Sequence, residues 1–175
     1  MEPEKILLRA TLALLCKGAT VILPIKKHKI GAGLRNGYGG GIEADEDPTT
    51  ATARELYEEC GVNIGLRDIT PAAVIDFHNM TAEGKEFTCR VYVSLVDLWL
   101  GTPYESEEMG PPEHFALDEP PLDEMMLADR DWLPPVLAGK HIYAQAWYTS
   151  RQAALRQPTV VTEISRDELD RLWSA

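Results

Sequence analysis

Basic side chains are the scarce class in this chain: 17 Lys and Arg stand against 28 Asp and Glu, for a formal net charge of −11. A coat for polymeric nucleic acid or a dock for an anionic membrane asks for basic patches, so neither partner is expected. An anionic nucleotide stays open, provided metal ions and local lysines mask its phosphates. Cysteine is sparse as well. Cys16, Cys60 and Cys89 are odd in number, far apart and without CxxC spacing, which fits a reducing cytoplasm better than disulfides or zinc. No apolar run is long enough to span a bilayer. The stretch ILLRATLALLC has the look of a leader, but it follows a mixed MEPEK, is interrupted by Arg9 and lacks a small-residue cleavage site. No signal peptide is expected. Repeats and low-complexity linkers are missing too, and 175 residues at 45% hydrophobic content suit a single domain, 1–175, with a substantial core.

What is present is acid in a pattern. From Gly40 to Val62 the chain reads GGIEADEDPTTATARELYEECGV. Asp47 followed by Pro48 is a helix start, because the carboxylate caps exposed N–H groups and proline suits the first helical position. Gly61 is a stop. Ala53, Leu56 and Cys60 recur as one apolar face, while Glu55, Glu58 and Glu59 gather on a neighbouring stripe. Like charges at those spacings repel by roughly 0.2–0.5 kcal/mol per pair. A hard divalent cation removes that repulsion, since Mg²⁺ takes oxygen ligands and is held by carboxylates together with substrate phosphates. Arg54 can reach Glu58 one turn on and keep it oriented. For an isolated ELYEE, a solvated acidic face would be the better explanation.

Around this helix the apolar patterning predicts strands over 5–16 and 19–27, joined at Lys17-Gly18, then over 71–78 and 86–100 with AEGK as the turn. A glycine-rich loop, 30–41, precedes the helix; as a phosphate cradle it is a weak signal alone. EHFALDE reads as a short strand and DWLPPVLAGK as a helix with Pro134 and Pro135 near its first turn and Gly139 at its end. HIYAQAWYTS and TVVTEIS read as late strands, and Ser165-Arg166-Asp167-Glu168 as a capping box opening a last short helix.

The spacing Gly40, five residues, Glu46, seven residues, Arg54-Glu55-Leu56, one residue, Glu58-Glu59, one residue, Gly61-Val62 resembles the signature of the Nudix hydrolases, with every fixed position filled. The resemblance implies an α/β protein: a Nudix fold, an α/β/α sandwich with a mixed central sheet. It also implies hydrolysis of a nucleoside diphosphate linked to another moiety, with Mg²⁺ (or Mn²⁺). From about Leu12 to Ser165 the chain is similar to the oxidised purine nucleoside triphosphatases of that family, through PIKKHKIGAGLRNGYGGG, GTPYESEEM, FALDEPPLDEMM and DWLPPVLAGKHIYA.

Carried over position by position, the resemblance makes Glu55, Glu58 and Glu59, with the Gly40 carbonyl and Glu108, the metal ligands. One glutamate would serve as proton acceptor, and Arg54 would join the catalytic set. It places Lys26 near the nucleotide, Asn36 on the base edge, Phe77 and Ile75 in an apolar pocket, Met126 over the base and Asp129 on its edge. Asn36 reads equally as half of an Asn-Gly turn, Phe77 and Ile75 as core. Three departures weaken the base assignment: Met126 stands where the relatives have Trp, Ala128 replaces one of two aspartates, and Gly41 replaces a Lys. The expected activity is conversion of a nucleoside triphosphate substrate, such as 8-oxo-dGTP, to monophosphate and diphosphate by a cytoplasmic monomer. Broader NTP specificity, another nucleoside-diphosphate-linked substrate, or a silent ligand-binding domain are the alternatives.

Overall fold

Apolar residues fill both faces of RATLALLCK, and the strand it forms, β1 (Arg9–Lys17), accordingly lies inside the sheet. The computed structural model describes Glu4 and residues 6–174. β2 (Thr20–Ile22), β3 (Thr70–Met80), β4 (Glu86–Val96), β5 (His114–Ala116), β6 (Ile142–Ser150) and β7 (Leu155–Glu163) complete a sheet of seven strands in the order β5-β2-β1-β4-β3-β6-β7. β1 runs parallel to β4 and β3 parallel to β6, while the other neighbours are antiparallel. The mixed sheet expected from the sequence is present.

Helices cover both faces. On one side α1 (Pro48–Cys60) and α3 (Arg166–Ser174) bring Leu56, Cys60, Leu169 and Trp173 onto Ala13, Leu15, Val74 and Tyr92. On the other, α2 (Asp129–Leu137) brings Trp132, Leu133 and Val136 onto Leu12, Leu14, Ala73 and Ile75. Alternation along β1 thus feeds two separate cores, as the period of a strand requires. Among the described residues, no helix is long and apolar enough to cross a membrane.

α1 keeps its expected ends: Asp47 accepts from the Thr50 N–H at 2.7 Å, and Gly61 closes the helix at φ 79°. Its buried face is wider than Ala53, Leu56 and Cys60, since Ala51, Thr52 and Glu59 are buried and Ala53 only partly. The strand expected over 5–16 begins at Arg9, and its first residue, Lys5, lies outside the described residues. The one expected over 19–27 stops at Ile22, because Pro24 has no N–H for a ladder; pairing resumes only singly, Ile25 with Arg35 and Lys26 with Met109. β7 starts earlier than 159. It is an edge strand, where Pro158 is tolerated, and the register of β6 against β7 shifts between Gln145 and Trp147 beside it. α2 starts two residues before Asp131, so Pro134 and Pro135 fall in its second turn. The carbonyls they leave without donors belong to exposed Arg130 and Asp131, within reach of water.

Behind α1, Tyr38 is fully buried and its hydroxyl has no hydrogen-bond partner. An unmet buried hydroxyl costs about 1–3 kcal/mol. Tyr38→Phe is therefore expected to raise the melting temperature, by roughly 2–4 °C per kcal/mol recovered in a domain of this size. A melting curve that is unchanged or lower would mean that the hydroxyl has a partner after all.

Candidate active site

The site is built where α1 passes the glycine segment 37–41. That segment lies against β1: Tyr38 and Ala13 exchange backbone bonds, and the Thr11 N–H donates to the Gly40 carbonyl at 2.9 Å. The approach is too close for side chains. A Cβ on Gly39 would stand 1.9 Å from the Thr11 carbonyl oxygen, and one on Gly40 would stand 2.5 Å from the Glu55 carboxylate. The glycines thus serve contact with β1 and Glu55, a reason within the protein that needs no phosphate. The Gly40 carbonyl expected to face a metal already holds one bond, so a cation would take its second lone pair.

Glu59 is the deepest acid. It is 3% exposed, and its Oε1 accepts from the Gly39 N–H at 3.0 Å. Burial, reinforced by the charges of Glu55 and Glu108 and opposed by that N–H and Lys26, pushes its pKa up to about 8. Glu55 is shifted upward as well, by burial first, against the pull of Arg54 and with Glu58 and Glu108 adding to the rise. Glu58 and Glu108 are exposed on the outer side. Arg54 orders the acids. Its five N–H donors go to both oxygens of Glu46, to Glu55 at 2.9 Å, to Glu58 at 3.3 Å and to the Gly41 carbonyl. It reaches Glu58 as expected, but every donor is used, so its place is to hold the carboxylates rather than a phosphate. Glu46, whose pKa is lowered chiefly by those bonds, is the partner that helix periodicity could not reveal.

The carboxylates named from the sequence share one electrostatic neighbourhood. Among the described residues, no three His, Cys, Asp or Glu side chains are already grouped so as to hold a metal ion. An all-oxygen set with a buried, poorly neutralised Glu59 still fits a hard cation such as Mg²⁺.

Lys26 links this acidic edge to the second half of the site. Its ammonium donates to the Ile30 carbonyl at 2.8 Å, and burial lowers its pKa against the attraction of Glu59 and Glu108. Lys26 and the Met126 sulfur both flank Gly31, the sulfur 3.5 Å from where a Cβ would be. Beyond Met126, Asp129 is 4% exposed and accepts from the Trp132 indole N–H at 2.9 Å; burial, against that bond, pushes its pKa up to about 7. It opens α2 without capping it: the cap position is Ala128, which makes no side-chain bond there. The Ala128 N–H donates instead to the Tyr148 hydroxyl, and Tyr148 stacks on Phe77 with centroids 6.2 Å apart. Ile75 is fully buried in the core. Asn36 accepts from the Gly37 N–H at 2.9 Å, the turn role, which leaves its NH₂ donors outside that bond. Its neighbour Arg35 joins this region by donating its N–H to the Glu124 carbonyl. Trp132 and Tyr148 were not foreseen. The i, i+3 spacing of Asp129 and Trp132 was legible; Tyr148, on β6, had no local signal.

The family model described as the NUDIX domain matches residues 7–138. The chain belongs to the Nudix hydrolases. Among curated proteins, this Nudix chain is 34% identical over 130 residues to the oxidized purine nucleoside triphosphate hydrolase of Mus musculus, covering 74% of this chain and 80% of that protein. It is 33% identical, over the same shares, to the protein of that name from Danio rerio. Among solved structures it resembles a mutator MutT protein from Bacillus halodurans, with a TM-score of 0.73 at 23% identity over 89% of this chain and 97% of that one. It also resembles a MutT NUDIX hydrolase from Burkholderia pseudomallei, with a TM-score of 0.58 at 25% identity over 67% and 88%.

The buried Glu59 carries a pH signature in this Nudix chain. Between its unfolded value of 4.5 and its folded value of about 8 the native state keeps a proton that the unfolded chain releases, so stability is lost as pH rises through that window. In EDTA, Glu59→Gln should therefore gain melting temperature over the wild type progressively from about pH 5 to about pH 8. A difference that does not change with pH would show that Glu59 is not held protonated.

Proposed function

We propose that this Nudix hydrolase is a Mg²⁺-dependent diphosphohydrolase of purine nucleoside triphosphates, oxidised ones such as 8-oxo-dGTP included, acting as a cytoplasmic monomer in sanitation of the nucleotide pool. The observation that carries the reading is the pairing of two half-sites. Two inward carboxylates, Glu55 and Glu59, stand beside Gly40 and Gly39, and Met126 meets Lys26 across Gly31 at the start of the segment that carries Asp129 and reaches Phe77 through Tyr148. The names of the curated relatives agree with it.

In this reading Glu55, Glu58 and Glu59, with the Gly40 carbonyl and Glu108, hold the cation. When bound, Mg²⁺ supplies positive charge to the phosphate chain and makes water easier to deprotonate. Arg54 fixes the carboxylates in place, Lys26 lends a charge to the phosphates, and a glutamate takes the proton of the attacking water. Asn36 and Asp129 meet the purine edge while Met126 covers its face, a sulfur–aromatic contact worth roughly 0.3–1.5 kcal/mol. With Ala128 in place of a second carboxylate, Asp129 alone distinguishes a protonated ring nitrogen from a bare one. Its carboxyl, whose pKa burial pushes up to about 7, can do so as donor or acceptor. Broad NTP hydrolysis is the second reading, favoured by the flexible Met126.

Glu59→Gln is expected to fold and to lower turnover by about two orders of magnitude or more, with EDTA abolishing wild-type activity. Chromatography of the wild-type reaction should show monophosphate and diphosphate. Nucleoside diphosphate accumulating with single phosphate, or an active Glu59→Gln protein, would refute the scheme.

Asp129→Asn keeps an oxygen for the Trp132 N–H but cannot ionise. It should shift the kcat/KM ratios among 8-oxo-dGTP, 2-oxo-dATP and dGTP by roughly fivefold or more, the scale of one misplaced buried hydrogen bond. Ratios constant within about twofold, beside an intact melting curve, would remove Asp129 from base reading.

A further inference from the structure

The tip of the 26–34 hairpin holds a conformation that its sequence should avoid. Lys29 sits at φ 66°, in the left-handed region that glycine adopts freely and a lysine does not. The hairpin is otherwise tightly bonded: Lys26 N–H to the Leu34 carbonyl, Gly33 N–H to the Lys26 carbonyl, and Ala32 N–H to the Lys29 carbonyl at 3.1 Å. Gly31 and Gly33 supply the other positive φ values there, so glycine is plainly available to this loop, yet the chain spends a lysine at the third such position. Strain kept at a loop tip beside an active site is a reason to look for function.

Charge gives the second observation. In a chain of net charge −11, three lysines fall within the four positions 26–29. Lys27 is committed to Glu105 at 2.7 Å and to the Ser106 carbonyl. Among the described residues, no carboxylate lies within ion-pair distance of Lys26 or Lys29, although Lys29 is close enough to Lys26 to oppose its protonation. Lys26 stands near Glu59 and Glu108, and Lys29, on a strained backbone, stands near Lys26, so the two like charges make a place for a polyanion at the edge of the site.

We propose that Lys29 is a specificity-determining residue that binds the terminal, leaving part of the substrate's phosphate chain and so favours triphosphates. This rests on the function proposed above. Lys29 touches phosphate oxygens that depart with the diphosphate, pairs there with Lys26, and contributes to binding rather than to the bond-breaking step.

Three variants separate charge from strain. Lys29→Gln removes the charge and keeps the strained backbone, Lys29→Gly removes both, and Lys29→Arg keeps the charge. Lys29→Gln and Lys29→Gly should raise KM for the triphosphate by about fivefold to tenfold, the effect of losing one charge-assisted contact, with kcat within about twofold. Both should weaken calorimetric binding of inorganic tripolyphosphate by a similar factor and flatten the salt dependence of KM, while inhibition by the monophosphate product stays put. Lys29→Arg should behave as wild type, and Lys29→Gly should melt higher. Unchanged KM and tripolyphosphate affinity in Lys29→Gln and Lys29→Gly would overturn the inference. If the wild type hydrolyses no triphosphate, the proposed function fails. The tripolyphosphate titration still decides Lys29, and a wild type that does not bind that anion overturns this inference too.

Discussion

Much of the architecture follows from placing one carboxylate where water cannot reach it. Glu59 is turned inward from α1 and meets a single backbone donor, the Gly39 N–H at 3.0 Å. Desolvating a carboxylate with so little compensation is costly, and several other features exist to make it tolerable. The glycine segment must run flat against β1 to present that N–H. Arg54 must absorb the charge of Glu46, Glu55 and Glu58 so that the repulsion around Glu59 does not grow. Lys26 must approach from the opposite hairpin.

The two halves of the site belong to different layers. The acids ride on α1, whose core is shared with α3; Phe77 and Asp129 belong to the α2 side of the sheet, with Tyr148 and Trp132. Lys26 and Gly31 are where the layers meet. A change at Met126 or Ala128 can therefore act on that side without disturbing the carboxylates.

Local signals were legible in the sequence, and non-local ones were not. Asp47 and Gly61 bounded α1, and the Ser165 oxygen accepts from the Glu168 N–H as the capping box required. These depend on neighbours within a turn. The acceptors of Arg54 come from the helix and from the segment 41–46 before it, and only Glu58 lay at helical spacing. Gly39 and Gly40 looked like a ligand loop because the sequence does not show that β1 and Glu55 press on them. Strand ends were misplaced at prolines: β2 ended at Ile22, ahead of Pro24, while β7 extended through Pro158 because a distant pairing left it at the sheet edge.

The parallel pairing of β1 with β4 has a consequence for how the molecule comes into being. Leu12 lies opposite Val93, so the alignment joins parts of the chain remote in sequence, a closure that is slow to form. The backbone bonds that lay the glycine segment flat go to β1, and only side chains of α1 reach it. A nascent or partly opened chain can therefore wind α1, with its three glutamates in place, and still lack the wall that Glu59 leans on. The acid cluster takes this geometry only after the sheet has closed behind it, so an incompletely folded molecule carries the signature without the arrangement.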